Sequence, residues 1–515
     1  MALIPYIIKS FRGGVSDEND KGVPGSFKHG YGLSIHKRND SLSCGSTMVT
    51  TFGESVGVFG ESSAGTTQTG IMNILLPISD GSLLAFSDTG SIWCRSGDGQ
   101  WQFVYNDPNG RISGAAEWED DDGNNYIWWA TQTALARKLY PGAFSTAPDT
   151  GTNRWTDAVH DYKTELFGYA AAAGSVAKPG LWHTMKQAAG NLYIANSDSI
   201  AEVSFTDFNW DPVAMSVRPG NLINCLEERN DYLVMGTERE DGSEEGHIFD
   251  WTPIATNWVQ KKKIPVPGVN ALIYTELPLL QGGSQGEIFF SDFQNVVPLN
   301  AVPGGGRVTP HGVAIEDDIA VFGMYGGSAV SYPGIWSYGR KRKNRPFALN
   351  YNYRLVPSVN GSTISTIGAV TVIDGKMLVS WGTTDSHTSG ETSEYGIDEL
   401  SSTTSASAIY EGLEFDAGRP FEKKYVDVIK VTTAPLISGV SYSVRFKTDQ
   451  ESAWRYAVLG DNTTTYTQAD SVESEWQISK PGMIYEVGVE LNPTGGSSPE
   501  ILSITSYLDD KRYEH

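Results

Sequence analysis

A short, strongly apolar segment that follows an Asp-, Asn- or Gly-containing turn recurs seven times, and this repeat constrains the fold most. From the first turn, Asp80-Gly81, to the last, Asp374-Gly375, the repeats advance by about 49 residues each, a period typical of four-stranded β-propeller blades. A small residue follows each segment. The segments are residues 83–86, 126–129, 192–195, 232–235, 288–290, 319–322 and 377–379, followed by Ser87, Ala130, Asn196, Gly236, Ser291, Gly323 and Ser380.

The remaining pattern predicts an all-β chain. Alternation with period two dominates, and only residues 155–166 and 397–400 have a pattern compatible with short helices. Strands near a propeller axis are buried on both faces, which explains continuous apolar runs, and a small residue suits the end where the sheet narrows. We therefore expect a β-propeller of about seven blades. The alternative is a pair of β-sandwiches with an accidental periodicity.

Changes in residue pattern and composition divide the chain into three parts. Residues 46–400 carry the repeat, residues 400–407 read as a Ser/Thr-rich linker, and residues 408–515 contain strictly alternating strands typical of a C-terminal β-sandwich. Residues 1–45 are polar, glycine-rich and weakly patterned. They are expected to form an extended N-terminal arm that orders against a partner, to supply a strand that closes the propeller ring, or to do both.

The charge of the chain excludes some classes of partner. With 61 acidic and 38 basic residues, the formal net charge is −23, which argues against general nucleic-acid binding and against docking on anionic membranes. No apolar run approaches a membrane span, so no membrane insertion is expected. The charges Lys9 and Arg12 follow the N-terminal apolar run instead of preceding it, and the three cysteines are scattered. Both features indicate synthesis in a reducing cytoplasm.

No motif predicts catalysis. Residues 53–57 and 282–286 fit G-x-S-x-G, but neither is followed by the helical pattern that a serine nucleophile requires. The eight histidines lack metal-ligand spacing, and the acidic run 119–123 fits a hairpin turn better than a calcium loop. The segment 88–93 resembles part of an Asp-box, a structural hairpin of sialidase propellers. We predict no enzymatic activity, no metal and no cofactor.

Two basic runs stand out in this acidic chain: residues 261–263, and a loop that precedes Pro346. The loop is interpreted as solvated surface, as a contact with DNA phosphates, or as a contact with another subunit or protein. For a subunit contact, residues 117–122 and 238–245 are the acidic partners. The candidate contact residues are Arg340, Lys341, Arg342, Lys343 and Arg345.

Residues 11–33, 36–44 and 412–424 resemble structural proteins of tailed bacteriophages. A propeller followed by a C-terminal sandwich is similar to the tail nozzle or hub (packaged-DNA-stabilising) proteins of short-tailed phages. This resemblance implies a homo-hexameric ring below the portal and adaptor, contacts with tail-fibre or needle proteins, and location in the virion tail. It also implies transient passage of double-stranded DNA through an acidic lumen, which repels the DNA backbone.

The expected function is therefore that of a phage tail structural protein that forms the DNA exit channel and anchors other tail parts. The alternative is a glycan-binding propeller adhesin for host attachment, with Trp and Tyr on its surface. A third interpretation, an exo-glycosidase, requires two convergent carboxylates, and the sequence nominates no pair.

Overall fold

The computed structural model describes residues 4–16, 23–36, 41–53, 70–95, 99, 101–132, 134–140, 155, 158–163, 182–239, 246–327, 332–359, 362–383, 394–449, 451–478 and 480–509. Within these ranges the chain forms 39 β-strands and a single four-residue helix, α1 (Val356–Val359). The all-β fold class is confirmed. The two helical expectations are wrong, because Val159–Lys163 and Tyr395–Ser405 are strands. Sheet pairing outweighs such short local patterns.

The first four strands belong to two different domains, the C-terminal sandwich and the propeller. They are β1 (Ile4–Ile8), β2 (Gly14–Val15), β3 (Ser26–Tyr31) and β4 (Ser46–Gly53). The strands β1, β2 and β3 pair within the C-terminal sandwich, whereas β4 is the outermost strand of the last propeller blade. The described part of residues 1–45 is thus built into the C-terminal domain of the same chain.

Seven four-stranded antiparallel sheets of the described residues are the propeller blades. The first strand of each blade packs on the first strand of the next, and the seventh packs on the first, so the ring is closed. The predicted propeller is confirmed. Blade 1 contains β5 (Met72–Pro77), β6 (Leu83–Ser87), β7 (Ser91–Arg95) and β8 (Trp101–Asn106); blade 2 contains β9 (Ile112–Glu119), β10 (Asn125–Thr131), β11 (Leu135–Leu139) and β12 (Val159–Lys163); blade 3 contains β13 (Met185–Ala188), β14 (Asn191–Asn196), β15 (Ser199–Val203) and β16 (Trp210–Ser216).

The remaining blades follow the same order of strands. Blade 7 differs in that its fourth strand is β4, which comes from the N-terminal part of the chain. Blade 4 contains β17 (Asn221–Arg229), β18 (Tyr232–Arg239), β19 (Gly246–Trp251) and β20 (Gln260–Ile264); blade 5 contains β21 (Val269–Tyr274), β22 (Pro278–Gly282), β23 (Glu287–Ser291) and β24 (Val296–Ala301); blade 6 contains β25 (Val313–Glu316), β26 (Ile319–Met324), β27 (Gly334–Gly339) and β28 (Ala348–Tyr353); blade 7 contains β29 (Ile364–Ile373), β30 (Lys376–Thr383) and β31 (Tyr395–Ser405).

The turns of the repeat connect the first two strands in six of these blades. At Asn230-Asp231 and Asp317-Asp318 both turn residues have positive φ, between 50° and 67°. Two consecutive positive φ values define the tight hairpin turn that matches the twist of the flanking strands, and Asn and Asp tolerate them better than most residues. These turns, predicted from Asn and Asp residues in the sequence, are therefore hairpins in the structure.

The apolar segments are not the innermost strands of their blades. Six of them are second strands, and the segment 288–290 is the third strand, β23, of blade 5. Small residues that follow these segments do lie where adjacent blades pack closely. A Cβ on Gly236 would lie 2.6 Å from Val269 Cγ1 of the next blade, and one on Gly323 would lie 2.6 Å from Ile367 Cγ2. Side chains at these positions are limited by the neighbouring blade.

Both ends of the chain build the β-sandwich. One sheet has the order β1-β39-β33-β36, with β37 also on β33, and the other has the order β2-β3-β32-β38-β34-β35. Ring stacking of Tyr6 on Phe415, with centroids 4.0 Å apart, joins the two ends. The C-terminal strands are β32 (Ala408–Gly412), β33 (Lys424–Thr433), β34 (Ser441–Thr448), β35 (Arg455–Tyr456), β36 (Glu473–Gln477), β37 (Pro481–Gly482), β38 (Tyr485–Asn492) and β39 (Ile501–Asp509).

The sandwich packs against the outer strand of blade 6. β2 and β3 contact β28, and Asn350 Nδ2 donates a hydrogen bond of 3.0 Å to the carbonyl of Leu33. Gly14 has a φ of +73°, and a Cβ there would lie 2.5 Å from the carbonyl oxygen of Leu349. Residues 400–407 are mostly strand, because β31 extends to Ser405 and β32 begins three residues later. The two bodies are therefore joined by packed strands.

Candidate interaction site on the sixth blade

The basic loop predicted from the sequence connects β27 and β28. A hydrogen bond of 2.9 Å from the amide of Arg345 to the carbonyl of Arg342 closes a turn within it. Lys341, Arg342 and Lys343 are exposed, and Arg340 and Arg345 are partly buried. The loop is thus an ordered turn that presents positive charge at the edge of blade 6.

Arg340 is already paired inside the chain. Its Nε donates a hydrogen bond of 2.9 Å to Oε2 of Glu276, and its Nη2 donates to Oε1 of the same carboxylate. Its guanidinium also lies 4.5 Å from the ring centroid of Phe347 and donates to the carbonyl of Lys343 at 2.7 Å. The hydrogen bonds from Arg340 lower the pKa of Glu276. This bidentate pair joins blade 6 to the β21–β22 turn of blade 5.

Lys341 has a partner on its own blade. Its Nζ lies 3.2 Å from Oδ2 of Asp317, in the turn between β25 and β26. It also lines a narrow cleft between the N-terminal segment and blade 6, together with Leu33, His36 and Tyr353. Burial, and secondarily the charge of Lys341, lower the pKa of His36 to about 4. The imidazole is therefore neutral at physiological pH.

Four of the five predicted residues divide into two groups, and the fifth, Arg345, is partly buried. Arg340 and Lys341 are neutralised within the chain, while Arg342 and Lys343 have no ion-pair partner among the described residues. The candidate contact is reduced to the tip of the loop. Sequence reasoning missed Glu276, and its position in a turn of the preceding blade is recognisable only once the blades are aligned.

The acidic segments nominated as partners are engaged elsewhere or lie outside the described residues. Glu117 accepts hydrogen bonds from the amide and hydroxyl of Ser79, at 2.7 and 2.6 Å. Oδ1 of Asp120 accepts from the amides of Asp122 and Asn124, at 3.1 and 2.7 Å, so the acidic run is a self-capped hairpin turn. Of residues 238–245, positions 240–245 fall outside the described ranges.

A second polar cluster lies at one end of the propeller axis. The rings of Trp182 and His311 are 5.7 Å apart, although they precede blades 3 and 6, and the guanidinium of Arg111 lies 5.0 Å from the Trp182 ring centroid. Burial lowers the pKa of His311 to about 4. Because these residues lie just before the first strands of blades 2, 3 and 6, their contacts join three blades at this end of the ring.

The remaining motifs have structural explanations. Residues 282–286 form the β22–β23 turn, with Gly286 at a φ of +71°, and a strand follows instead of a helix. Of residues 53–57, positions 54–57 lie outside the described ranges. No group of three His, Cys, Asp or Glu side chains that could hold a metal occurs within the described residues. No helix of that part of the chain is long and apolar enough to span a membrane.

The tryptophans are mostly core residues. All 14 lie within the described ranges; ten are buried, and Trp258 is the exposed one. The expectation of a glycan-binding propeller rests on surface Trp together with Tyr. The structure assigns these side chains to packing between blades and within the sandwich.

A scan against protein-family models gives no match, and a search of curated proteins gives none. Among solved structures, the chain is similar to the extracellular domain of the hybrid two component system BT4673 from B. thetaiotaomicron. The identity is 12% and the TM-score 0.43, over 80% of this chain and 44% of that one. It is also similar to U3-55K (12%, TM-score 0.41, 65% and 96% of the two chains) and to the WD40 propeller of Doa1 (10%, TM-score 0.42, 69% and 98%). This chain thus spans under half of the BT4673 domain, and the similarities concern the fold alone.

Proposed function

We propose that this protein is a structural component of a bacteriophage tail, placed as the nozzle or hub below portal and adaptor. The observation that carries the proposal is the place of residues 11–44, whose sequence resembles phage tail proteins. The described part of this segment fastens the propeller to the sandwich through Gly14, Leu33 and the strand β3. The resembling residues thus lie where the two bodies are joined.

The chain path suits a structural role in which force passes between the propeller and the sandwich. The propeller is inserted between the N-terminal and C-terminal strands of the sandwich, and its ring is closed by β4. One core cluster continues from Phe11 and Tyr410 in the sandwich to Leu349 and Tyr351 in blade 6. Because paired strands flank both ends of the propeller, force on one body is passed to the other through the strands that the structure describes.

The acidic character suits passage of DNA. Six copies carry a formal charge of −138, so a lumen lined by such subunits repels the phosphate backbone and lets DNA slide. In this proposal the protein is not an enzyme. It acts in the virion with portal, adaptor and tail-fibre or needle proteins, after synthesis in the host cytoplasm.

Imaging of the purified full-length chain by negative-stain electron microscopy tests the proposal. Rings with six-fold symmetry and a central opening wide enough for duplex DNA are expected. Particles that remain single propellers at micromolar concentration, or that form trimers and bind glycans on an array, would contradict the nozzle assignment and favour the adhesin.

A further inference from the structure

Arg111 is a partly buried cation without an acceptor. It lies directly before β9, the first strand of blade 2, and its guanidinium is 5.0 Å from the ring centroid of Trp182. Within the described ranges it forms no ion pair and no hydrogen bond. Burial lowers the pKa of Arg111, although a guanidinium remains charged in proteins. Because a charge removed from water is costly unless it is paired, the donors of Arg111 are available to an anion from solution.

A second arginine, Arg307, lies beside Tyr325 at the same end of the ring. Two backbone hydrogen bonds, of 2.9 and 3.0 Å, tie Arg307 to Tyr325, and its guanidinium lies 5.5 Å from the centroid of that ring. Burial raises the pKa of Tyr325, and the charges of Arg307 and Arg111 both act against this shift, so both guanidinium groups are near the phenol. Arg307 also has no ion-pair partner in the described part of the chain. Two arginines without carboxylate partners thus converge on one tyrosine in a chain whose formal net charge is −23.

Two buried polar atoms border these arginines. Nε2 of His311 and Oδ1 of Asp88 have no hydrogen-bond partner among the described residues. The ring of His311 lies 5.7 Å from that of Trp182, and the charge of Asp88 partly offsets the effect of burial on the pKa of Arg111. Because burial lowers the pKa of His311 to about 4, its imidazole is neutral at physiological pH, and a neutral ring has one nitrogen that accepts. The cluster therefore offers donors for an anion and an acceptor for a hydroxyl group.

We propose that Arg111, Arg307 and Tyr325 bind a small oxyanion that also carries a hydroxyl group, such as a 2-hydroxy carboxylate or hydrogen phosphate. With Trp182 and His311 they form the axial anion site. The planar fork of an arginine matches the paired oxygens of a carboxylate or phosphate, and the indole of Trp182 beside Arg111 limits its orientation. The hydroxyl group of the ligand donates to Nε2 of His311.

The axial anion site is complete only in the closed ring. Its residues come from the connections that lead into blades 2, 3 and 6 and from the end of β26, so they are far apart in the sequence and no local motif marks them. Aromatic rings with a few convergent polar groups are typical of small-molecule sites. The inference is independent of the proposed tail function.

Binding of hydrogen phosphate to the full-length chain is the first test. Isothermal titration calorimetry at neutral pH and constant ionic strength, with sodium chloride as the balancing salt, measures the dissociation constant. Arg111→Met should raise this constant by about 10- to 100-fold, because it removes charge-assisted hydrogen bonds. Arg218→Met is the matched control, since Arg218 is an exposed arginine without an ion-pair partner among the described residues. Its dissociation constant should equal that of the wild type.

Melting temperatures separate a ligand site from a packing role. Without phosphate, Arg111→Met should melt at or above the temperature of the wild type, since it removes an unpaired, partly buried charge. Phosphate should raise the melting temperature of the wild type but not that of this variant. Arg307→Met, at an exposed position, should leave the fold intact and raise the dissociation constant by about 10-fold, so it carries the test if Arg111→Met does not fold.

Two organic anions test the hydroxyl group of the ligand. Glycolate and acetate differ by one hydroxyl group, so glycolate should bind the wild type about 5- to 10-fold more tightly. His311→Phe keeps a ring beside Trp182 and removes Nε2, and it should abolish this preference. Equal binding of glycolate and acetate by the wild type would contradict the role of His311.

Two results would overturn the axial anion site. The first is a wild-type chain that binds neither phosphate nor glycolate. The second is a phosphate affinity that is the same in Arg111→Met, Arg307→Met and the Arg218→Met control, which would indicate an adventitious ion only. Binding of phosphate without glycolate supports the site with a phosphate group as its ligand, and the reverse supports it with a carboxylate. None of these results bears on the six-fold rings that test the tail proposal.

Discussion

Asp398 holds the strand that closes the propeller ring, and its replacement should open the structure at that seam. The carboxylate is fully buried in β31. Its Oδ1 accepts hydrogen bonds from Thr50 Oγ1 of the closing strand β4 and from Trp381 Nε1, each at 2.8 Å. Its Oδ2 accepts from the amide of Val356 at 2.7 Å. One side chain therefore ties together β4, β30, β31 and α1.

The expected magnitude follows from these three donors. A hydrogen bond to a charged group contributes about 1.5–3 kcal/mol, and a buried donor left unpaired costs a similar amount. Burial raises the pKa of Asp398, so its removal also relieves the desolvation of a carboxylate, which offsets part of the loss. Asp398→Ala should lower the free energy of unfolding by about 3–5 kcal/mol. Asp398→Asn retains the oxygen that faces Thr50 and Trp381 and should cost about 1–2 kcal/mol.

Thermal melting and limited proteolysis measure the effect. At about 2 °C per kcal/mol for a body of this size, Asp398→Ala should melt about 6–10 °C below the wild type and Asp398→Asn about 2–4 °C below it. The alanine variant should also be cleaved faster within residues 46–53. Ser402→Ala, at an exposed position of the same strand, is the matched control. An alanine variant that melts within 2 °C of the wild type, at about the level of the control, would refute the closing role of Asp398.

Three further predictions concern the seams and the basic loop. Gly114→Ala places a Cβ about 1.6 Å from the carbonyl oxygen of His183 and should prevent soluble expression, whereas Gly460→Ala, with open space around it, should express normally. Burial lowers the pKa of His183 from 6.5 to about 3, so the free energy of unfolding should fall as the pH drops from about 6.5 towards 3. His183→Asn should remove up to about 1.4 kcal/mol per pH unit of that fall, measured by denaturant titrations at each pH. Arg342→Glu combined with Lys343→Glu should weaken assembly at low salt in mass photometry; assembly indifferent to both the variant and salt would make the loop tip solvated surface.

The propeller could be predicted from the sequence because each hairpin turn and each blade strand is determined by a short segment of the chain. The Asp317-Asp318 turn illustrates this, since two adjacent residues that tolerate positive φ define a hairpin without any distant contact. Blade 5 shows the limit of the same reasoning. Its strands β22 and β23 are both apolar, so the period alone did not distinguish the second strand from the third.

The N-terminal strands could not be placed from the sequence because their pairing is non-local. Ile7 lies opposite Thr505, and Phe27 lies opposite Gly412, each hundreds of residues away in the chain. A polar, glycine-rich segment gives a weak strand signal, since its stability comes from the sheet it joins and not from its own side chains. An arm that orders against a partner and a strand that orders against its own sandwich have the same local pattern.

The basic loop shows why a charge run predicts exposure better than it predicts a contact. Five cations within six residues can only be solvated or paired, and the pairing of Arg340 with Glu276 bridges 64 positions and two blades. Because Arg340 already forms a bidentate pair with Glu276, the side chains left for another protein are Arg342 and Lys343 at the tip of the loop.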